Sequence, residues 1–474
     1  MLRRSAPGVL AGAASALLMS ACHLGPDYHP PEMAPPQAWR QPAPAGESAA
    51  NLPWWDLFQD EVLRDLIKSA LAENKDLAVA AARVGEARAR YGFTRADQLP
   101  VVDLAIGATR GRTSAQLPPG TGTTTNAFVG RVDAFYEADL WGKYSRATEA
   151  ARADLLGTEM ARQTVILTLV GDVAASYLEL LDLDQQLEIA KSTLEARRGS
   201  LDLIRKRFEK GVVSALDVHQ AEIQESIAAA TVPDIDRRVV ETEDRIRILL
   251  GRFPGEVPRG RKLQEQTLPP EIPAGLVSDL LRRRPDVLAS EQALVSANAS
   301  IGVAEAQRFP SIFLTASAGA ASDDLSRITH GGAGIWSIGA SLLQPLFNFG
   351  KNKRRVEIAR AQTEQALYAY EASVQEAFRE VEDALAAVRT WDEQVEAFDR
   401  QVVAARAALG LAEARYEGGV ASYLEVLIQQ TTAFSAELGA SQAHREQLVS
   451  IVRLYSALGG GWTTEEPAPP TAAK

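Results

Sequence analysis

The sequence contains few of the side chains on which enzymes and metal proteins depend. Cys22 is the only cysteine in the 474 residues, so no intramolecular disulfide can form. The five histidines are far apart in the chain and include no His-x-x-x-His pair that could bind a metal. They are His23, His29, His219, His330 and His444. A Gly-x-x-x-x-Gly-Lys-Ser/Thr phosphate loop is also missing. We therefore expect no enzyme activity, no cofactor and no metal site.

Positive charge and aromatic side chains are scarce as well. The 50 Lys and Arg residues are outnumbered by 61 Asp and Glu, which gives a net charge of −11, and no stripe of clustered Lys or Arg occurs. Such a chain is poorly suited to binding nucleic acid. Aromatic residues make up 6% of the chain, whereas the hydrophobic content of 46% is mostly Ala, Leu and Val. This composition favours long, closely packed helices over an aromatic-rich β-sandwich.

The N-terminus has no apolar run long enough to cross a bilayer, which takes about 20 residues. Arg3 and Arg4 precede a short apolar stretch from Val9 to Met19. A basic start followed by a short apolar run is typical of a secretory signal peptide. We assign residues 1–21 to this signal.

The signal ends in Leu18-Met19-Ser20-Ala21-Cys22, which resembles the cleavage box of bacterial lipoproteins. We expect Cys22 to be the lipidated residue of the mature chain; the alternative is a lone buried thiol. His23 follows it, where Asp would be the usual signal for retention in the inner membrane. The predicted location is therefore the outer membrane, with the chain anchored by lipid and extending into the periplasm.

Proline is concentrated directly after the predicted anchor. Eight prolines lie between Pro26 and Pro53, with Gly, Ala and Ser among them. Proline lacks a backbone N–H and has a fixed φ, so this segment is unsuited to a helix or a central strand. We predict an extended, lipid-anchored tether over residues 22–53.

The rest of the chain contains an internal duplication. Asn74-Lys75-Asp76-Leu77 matches Arg284-Pro285-Asp286-Val287 at an offset of 210 residues. Farther along, Arg207-Phe208-Glu209-Lys210-Gly211-Val212 matches Arg415-Tyr416-Glu417-Gly418-Gly419-Val420 at an offset of 208. Ordered matches with a single two-residue slip predict two structural repeats, 54–265 and 266–462. Residues 463–474 are predicted to be a disordered tail.

Each repeat has the pattern of a helix, two strands, a very long helix, a turn and a returning helix. No proline occurs between Pro345 and Pro467, and apolar residues recur in steps of three and four from Val374 to Tyr416, with a break at Asp392 where Trp391 can take its place. This period predicts coiled-coil packing. A helix from about Lys351 to Glu417 would be roughly 100 Å long at 1.5 Å per residue.

Four segments of about ten residues alternate between apolar and polar side chains. We predict strands near 101–109, 130–140, 311–319 and 336–343, joined in pairs by loops at Arg112–Ala127 and Ser322–Gly334. This alternation fits membrane β-barrel strands with lipid outside and water inside, and it also fits a soluble sheet that covers a core. Four strands cannot close a barrel, and an open edge is not tolerated in hydrocarbon, so a membrane sheet requires several copies of the chain.

The ordered parts resemble the TolC-type outer-membrane factor family, in its lipoprotein branch represented by OprM and NodT. The resemblance covers essentially the whole mature chain. Its most specific stretch runs from Arg283-Arg284-Pro285-Asp286 through Gly302-Val303-Ala304 to Phe309-Pro310-Ser311. The other matching residues are Cys22 with Gly25-Pro26-Asp27-Tyr28, Trp54-Trp55, Phe58 and Leu63.

This resemblance implies a mainly α-helical chain with a small membrane β-barrel, in which three copies form a 12-stranded barrel on a periplasmic α-barrel. It implies the exit duct of a tripartite efflux system for small molecules such as drugs. The implied partners are a periplasmic adaptor and an inner-membrane pump, often of the resistance-nodulation-division type. Ducts for type I protein secretion or metal-ion efflux remain alternatives, as does a coiled-coil lipoprotein that only spaces the envelope.

The resemblance also points to candidate site residues around the two hairpin turns. Leu424 matches an aperture-lining leucine, and the family's acidic ring one helical turn later falls on the apolar Ile428. Glu425 and Asp217 could supply nearby negative charge, or they could be solvated carboxylates that stabilise helix N-termini. Gly211, Val212, Gly419 and Val420 match turns that adaptors grip in the family; otherwise they are plain helix stops.

Overall fold

The structure is a computed structural model that describes residues 23–33, 36, 38–41, 59–116, 122–266 and 280–460. The predicted signal peptide, Cys22, Trp54-Trp55, Phe58 and the predicted tail lie outside these residues. The chain divides into two compact units. The first unit comprises Met1–Glu32, Arg83–Thr158 and Ala289–Tyr370; the second comprises Met33–Ala82, Glu159–Leu288 and Glu371–Lys474.

The described residues form eight α-helices, four strands and two single-turn 3₁₀ helices. In chain order these are α1 Glu61–Glu73, α2 Lys75–Ala96, β1 Val101–Arg112, β2 Thr124–Ala138, α3 Lys143–Glu209, α4 Ala215–Leu249, the 3₁₀ turn Leu263–Glu265, α5 Leu280–Arg283, α6 Pro285–Ala306, β3 Ser311–Ser322, the 3₁₀ turn Leu325–Arg327, β4 Gly334–Leu343, α7 Lys351–Glu417 and α8 Tyr423–Ala457.

The lengths of these elements confirm the internal duplication. Helices α3 and α7 have 67 residues each, and α4 and α8 have 35 each; both pairs start 208 residues apart. Helices α2 and α6 have 22 residues each, strands β1 and β3 have 12 each, and these pairs start 210 residues apart. Val101 pairs with Phe135, and Ser311 pairs with Leu343, so the offset is already 208 between paired residues of β2 and β4. The two-residue slip therefore falls toward the tips of the two β-hairpins, where length is least constrained by packing. The proposed boundary at 265/266 stays a prediction.

The long helix predicted from about Lys351 to Glu417 is confirmed, and its apolar seam is the face that the fold buries. Val374, Val381 and Val395 are buried, as are Ala405 and Ala412 farther along. At the break in the pattern, Trp391 is half-buried and Asp392 is exposed, so the aromatic residue replaces the acid in the seam.

The main core of the second unit forms around the most apolar part of α3. By length and composition alone this helix could span a membrane, but half of its most apolar stretch is buried within the protein. Val173, Tyr177 and Leu180 are fully buried there against Leu63 and Ile67 of α1. The stretch is thus the centre of a packed core rather than a candidate membrane span.

The four strands form one antiparallel sheet in the first unit, in the order β1-β2-β3-β4. The register pairs Leu104 with Val132 and Leu314 with Ala340, so even-numbered residues of all strands share one face. That face exposes large apolar side chains, whereas the odd-numbered face carries most of the polar ones. The most exposed apolar members are Val102, Leu104, Ile106, Trp336 and Ile338.

The first hairpin loop is shorter than the sequence analysis predicts. Strand β2 begins at Thr124 rather than near residue 130, because Thr124 and Thr125 pair with Arg112 and Gly111 of β1. Threonine is β-branched and favours strands, so the threonines near the end of the predicted loop extend the ladder. The second loop also loses Ser322, which ends β3, and Gly334, which begins β4.

The predicted tether is extended but it is not free of the rest of the protein. Its described residues contain no helix or strand, as expected from their prolines. In the second unit, Trp39 packs against Phe378 at a ring-centroid distance of 5.9 Å, and the backbone N–H of Arg40 donates to Glu382 at 2.7 Å. In the first unit, residues 23–28 are held by hydrogen bonds, among them bonds from Arg146 and Asn298. The described residues of this segment, 23–33, 36 and 38–41, therefore form a docked strap.

A second duplicated feature is a hydrogen bond that joins the start and the end of each repeat within the second unit. The side-chain amide of Asn74 donates to the carbonyl of Leu249 at 2.9 Å, where α4 ends. At the matching positions, Nη1 of Arg284 donates to the carbonyl of Ala457 at 3.0 Å, where α8 ends. Both contacts satisfy a carbonyl that a helix C-terminus leaves without a partner. We call this pair of contacts the repeat latch.

We predict that Asn74→Ala destabilises the second unit, because Asn74 also accepts from the backbone N–H of Leu77 at 2.9 Å and so caps α2. Loss of such a cap costs about 1–2 kcal/mol. The thermal midpoint of helical circular dichroism should fall, and hydrogen exchange at Leu77 should accelerate. Lys75→Ala, an exposed neighbour, is the control that should leave both unchanged. Equal behaviour of the two variants would contradict the latch.

Candidate functional site: the two hairpin turns

The first hairpin turn joins α3 to α4 and requires glycine at one position. Gly211 has a φ of 73°, which is the left-handed conformation that glycine adopts at least cost. The N–H of Gly211 donates to the carbonyl of Phe208 at 2.8 Å, and the N–H of Val212 donates to that of Arg207 at 2.9 Å. This pair of bonds is a Schellman motif, which satisfies the last carbonyls of α3.

The second hairpin turn repeats this geometry between α7 and α8. Gly419 has a φ of 74°, its N–H donates to Tyr416, and the N–H of Val420 donates to Arg415, both at 3.0 Å. Gly418 does not adopt a positive φ, so Gly419 is the residue that the turn requires. Val212 and Val420 follow the two glycines and are 68% and 70% exposed. Each turn therefore presents an accessible apolar side chain.

Asp217 has a structural role at the start of α4. Its carboxylate accepts from the backbone N–H of Ser214 at 2.9 Å and from the Ser214 hydroxyl at 2.8 Å, while its own N–H points back to Ser214 Oγ at 3.4 Å. This reciprocal arrangement is a capping box. The helix-start interpretation therefore accounts for Asp217, and its role at an aperture stays a prediction.

Glu425 occupies the matching repeat position but is used differently. Ser422, at the N-cap of α8, makes no side-chain capping bond, and Glu425 instead lies 3.2 Å from Nε of Arg415. Both side chains are about half exposed, and pairs of this kind contribute about 0–1 kcal/mol. This ion pair connects the last turn of α7 with the first turn of α8 across the hairpin turn.

Leu424 and Ile428 lie one helical turn apart on α8 and are 50% and 53% exposed. They line the same groove, which α4 borders with Gln220 and Ile223. Farther along α8 the groove becomes polar, with Thr431, Thr432 and Ser435. An apolar band followed by a hydroxyl-lined band is suited to a constriction that excludes water when it narrows.

The sequence analysis overlooked Leu216, which precedes Asp217. It is the repeat counterpart of Leu424 at the 208-residue offset, and its side chain is 64% exposed. The offset alone could have identified it. Because both leucines are exposed beside a hairpin turn, each repeat supplies one apolar side chain of this kind.

The groove is supported by a cluster that draws on both repeats. Leu201 and Ile204 of α3 are buried with Ala412 of α7 and Tyr423 of α8. The Tyr423 ring lies 5.4 Å from that of Tyr416. Burial raises the pKa of Tyr423 to about 12, so its phenol is neutral at physiological pH. The base of the candidate aperture is therefore apolar and ordered by inter-repeat packing.

Polar side chains are concentrated on the odd-numbered face of the sheet in the first unit. Asp103 faces Asp133 across β1 and β2, and Arg131 pairs with Asp133 at 3.0 Å. In the same row of the register, the hydroxyls of Ser317 and Ser337 are 3.0 Å apart. This face is suited to water, as expected for the inner surface of a barrel.

Metal ligands do not converge anywhere in the described part of the chain, where no group of three or more His, Cys, Asp or Glu side chains could hold an ion. The main features of the described residues are instead a sheet with one apolar and one polar face and two hairpins of very long helices. This combination defines a membrane channel protein with a helical extension.

Comparison with known proteins agrees with that class. The family model of the outer membrane efflux proteins matches residues 66–252 and 276–460. The solvent efflux pump outer membrane protein SrpC of Pseudomonas putida is 38% identical over 466 residues, which cover 95% of this chain and 97% of SrpC. The cation efflux system protein CusC of Escherichia coli K12 is 34% identical over 454 residues, 94% of this chain and 98% of CusC. The open-state structure of the Neisseria gonorrhoeae MtrE outer membrane channel superposes with a TM-score of 0.85 at 30% identity, covering 93% of this chain and 98% of MtrE.

The chain belongs to the outer membrane efflux protein family. The predictions of a TolC-type fold, of an outer-membrane efflux channel and of an outer-membrane location that extends into the periplasm are confirmed. The roles of Leu424, Ile428, Glu425 and Asp217 at an aperture stay predictions, as do adaptor contacts at Gly211, Val212, Gly419 and Val420.

We predict that Leu424→Ser with Ile428→Ser raises the single-channel conductance of the isolated channel in a planar bilayer, because hydroxyls keep a narrow pore wetted. A matched control is Val403→Ser with Leu411→Ser, two exposed apolar residues of α7 outside this groove. If the test pair conducts no better than the control pair, the constriction lies elsewhere, and Asp217 and Glu425 become the next residues to replace.

Proposed function

We propose that three copies of this chain form the exit duct of a tripartite pump that expels small organic molecules. In this proposal a periplasmic adaptor and an inner-membrane transporter of the resistance-nodulation-division type complete the pump. Cys22 carries the lipid that anchors each copy to the outer membrane. The duct itself catalyses no reaction and supplies only a path across the membrane.

The observation that carries this proposal is the open four-stranded sheet. In the part of the chain that the structure describes, β1 and β4 each pair on one side only. Their free edges expose backbone N–H and C=O groups, each of which costs several kcal/mol when it is left unsatisfied in hydrocarbon. The same sheet exposes an apolar face, with Ile106 at 79% and Ile338 at 81% exposure. Lipid can cover the apolar face, and a neighbouring copy paired with each edge satisfies the N–H and C=O groups there.

Barrel geometry favours three copies over two. Two copies would give eight strands, and the interior of a barrel of about eight strands is just wide enough for its own side chains to fill. Three copies give twelve strands and leave room for a lumen. The odd-numbered face, with Asp103, Arg131 and Asp133, would then line a water-filled passage.

The hairpin turns support the assignment of an adaptor. Val212 and Val420 are exposed apolar residues at structurally equivalent turns, so a trimer would present six similar contact points. Apolar side chains fixed on a rigid turn lose little entropy when a partner covers them. The resemblance noted in the sequence assigns the same turns to adaptor tips.

Relatives of the chain differ in substrate, with solvent efflux for SrpC and cation efflux for CusC. We favour small organic molecules because Leu424 and Ile428 make the candidate constriction apolar, and the groove they line is continued by the uncharged Thr431 and Thr432. Cation efflux is the second candidate, and it is favoured by the paired carboxylates of Asp103 and Asp133 on the polar face of the sheet.

We predict that deleting this chain from its native cell increases accumulation of a hydrophobic fluorescent dye and leaves tolerance to metal cations unchanged. A plasmid copy of the parent should restore dye efflux. The Leu424→Ser, Ile428→Ser copy should restore it too, since it leaves the path open. Loss of metal tolerance with normal dye efflux would reject the organic-substrate proposal in favour of the cation alternative.

We predict that Leu314→Asp prevents assembly whereas Thr315→Asp is tolerated, because the register places these neighbours on opposite faces of β3. A charged residue on the lipid face costs up to roughly 2–4 kcal/mol near the midplane, somewhat less for an acid. Native mass spectrometry of detergent-extracted protein should show a trimer for the parent and for Thr315→Asp. A stable, folded monomer of the parent would contradict the proposed trimer.

A further inference from the structure

Residues 24–27 are held by hydrogen bonds from one buried arginine of the first unit. Arg146 lies near the start of α3 and is only 4% exposed. Its Nε donates to the carbonyl of Leu24 at 3.1 Å, and its Nη2 donates to the carbonyl of Gly25 at 3.4 Å and to Asp27 Oδ1 at 2.7 Å. Its Nη1 donates to Glu149 at 2.8 Å. Four of the five guanidinium bonds that Arg can make are thus used, three of them on the strap.

Two glycines allow the strap to approach α6 closely. A Cβ on Gly302 would lie 2.5 Å from the carbonyl oxygen of Leu24 and 2.8 Å from Cγ of Arg146. A Cβ on Gly25, which has a φ of +89°, would lie 2.4 Å from Cα of Gly302. Both contacts are impossible for any other residue without movement of the backbone. The strap and α6 therefore fit each other as backbone against backbone.

Further hydrogen bonds hold the strap between residues 24 and 28. The N–H of Leu24 donates to the carbonyl of Trp141 at 3.4 Å. Asn298 donates to the carbonyl of Pro26 at 2.9 Å, and the Tyr28 hydroxyl donates to Glu291 at 3.1 Å. We call the groups that hold residues 23–28, centred on Arg146 and Gly302, the strap seat.

The internal duplication shows that the strap seat is not a by-product of the repeat. Arg354 is the counterpart of Arg146 and makes the same i,i+3 pair, with Glu357 at 2.6 Å, but its side chain is 74% exposed. Gly92 is the counterpart of Gly302, and a Cβ there would meet nothing within 4 Å. Arg146 of the first repeat and Gly302 of the second thus hold the strap, whereas their counterparts, Arg354 of the second repeat and Gly92 of the first, make no contact with it.

The strap seat lies at the foot of the sheet. His23 packs against Gly142, four residues after β2 ends at Ala138. Trp141 stacks on Phe309 at a centroid distance of 4.9 Å and donates to the carbonyl of Pro310, the residue before β3. The residue that follows Cys22 in sequence is therefore held at the edge of the sheet where β2 ends and β3 begins.

We propose that the strap seat is a positioning site for the lipid-bearing end of the chain, with Arg146 as its positioning residue. This inference rests on the proposed acylation of Cys22. A lipid on a free tether and an apolar sheet would enter the membrane independently. A lipid held at the foot of the sheet enters beside it, so the second insertion occurs at a high effective concentration. The strap seat thereby couples the anchor to assembly of the barrel.

The first experiment tests the grip itself by hydrogen exchange of full-length mature protein in detergent. Arg146→Gln and Gly302→Ala should each accelerate exchange at the Leu24 amide by about tenfold or more, because local opening becomes easier. The matched controls are Arg354→Gln and Gly92→Ala, which alter the same repeat positions without touching the strap and should leave that rate unchanged. Parent-like exchange in Arg146→Gln would overturn the proposed grip.

The second experiment asks whether the strap seat acts through the lipid. Arg146→Gln should lower the amount of assembled channel in the outer membrane severalfold relative to Arg354→Gln. The same pair is then compared in chains carrying Cys22→Ser behind an ordinary secretory leader. There, Arg146→Gln should cause no further loss, since residues that act as one unit are not additive. An equal severalfold loss in both backgrounds would mean that Arg146 only stabilises the fold, and would overturn the positioning role.

Mass spectrometry of the mature N-terminus separates failure of this inference from failure of the proposed function. Acylated Cys22 together with parent-like assembly of Arg146→Gln refutes the positioning role and leaves the anchor standing. Unmodified Cys22 in native membranes refutes the anchor, and the positioning role with it. Acylated Cys22, reduced assembly of Arg146→Gln and no further loss in the Cys22→Ser background is the result that supports the proposal.

Discussion

The constraint on which most of this structure depends is that backbone hydrogen-bonding groups cannot be left unpaired in hydrocarbon. The described residues provide four strands with an apolar face, which is enough to favour the membrane but too few to satisfy the edges of β1 and β4. In the proposed trimer, neighbouring copies satisfy these edges, so assembly and membrane insertion depend on each other. The alternation of residues along each strand then determines which face meets lipid and which meets water.

The duplication explains how a chain of this length builds such regular parts. Helices α3 and α7 agree in length, as do α4 and α8, and both hairpin turns use a glycine at a φ near 73°. The repeat latch also recurs, yet with different chemistry, because a neutral Asn74 serves one repeat and the charged Arg284 serves the other. Positions that only close the fold have thus kept their geometry while their side chains diverged.

The two repeats use several equivalent positions differently. Asp217 is used in a capping box, while its counterpart Glu425 pairs with Arg415 across the hairpin. Leu216 and Leu424 are both exposed, but Leu424 is followed by Ile428 on the same face. Arg146 holds the strap whereas Arg354 is exposed to solvent. Each difference gives one repeat a contact or an exposed surface that the other repeat does not share.

The amino-acid sequence by itself determined the repeat, the long helices, the alternating strands and the glycine turns, because each of these follows from periodicity or from the conformational range of single residues. It left open what the carboxylates do, since Asp217 and Glu425 look alike until their partners at positions 214 and 415 are known. The proline-rich segment shows the same limit: proline predicted its extended backbone, but only the tertiary structure showed that it is docked. Arg146, Gly25 and Gly302 are more than a hundred residues apart along the chain, and no local pattern reveals a contact that arises only when distant segments pack together.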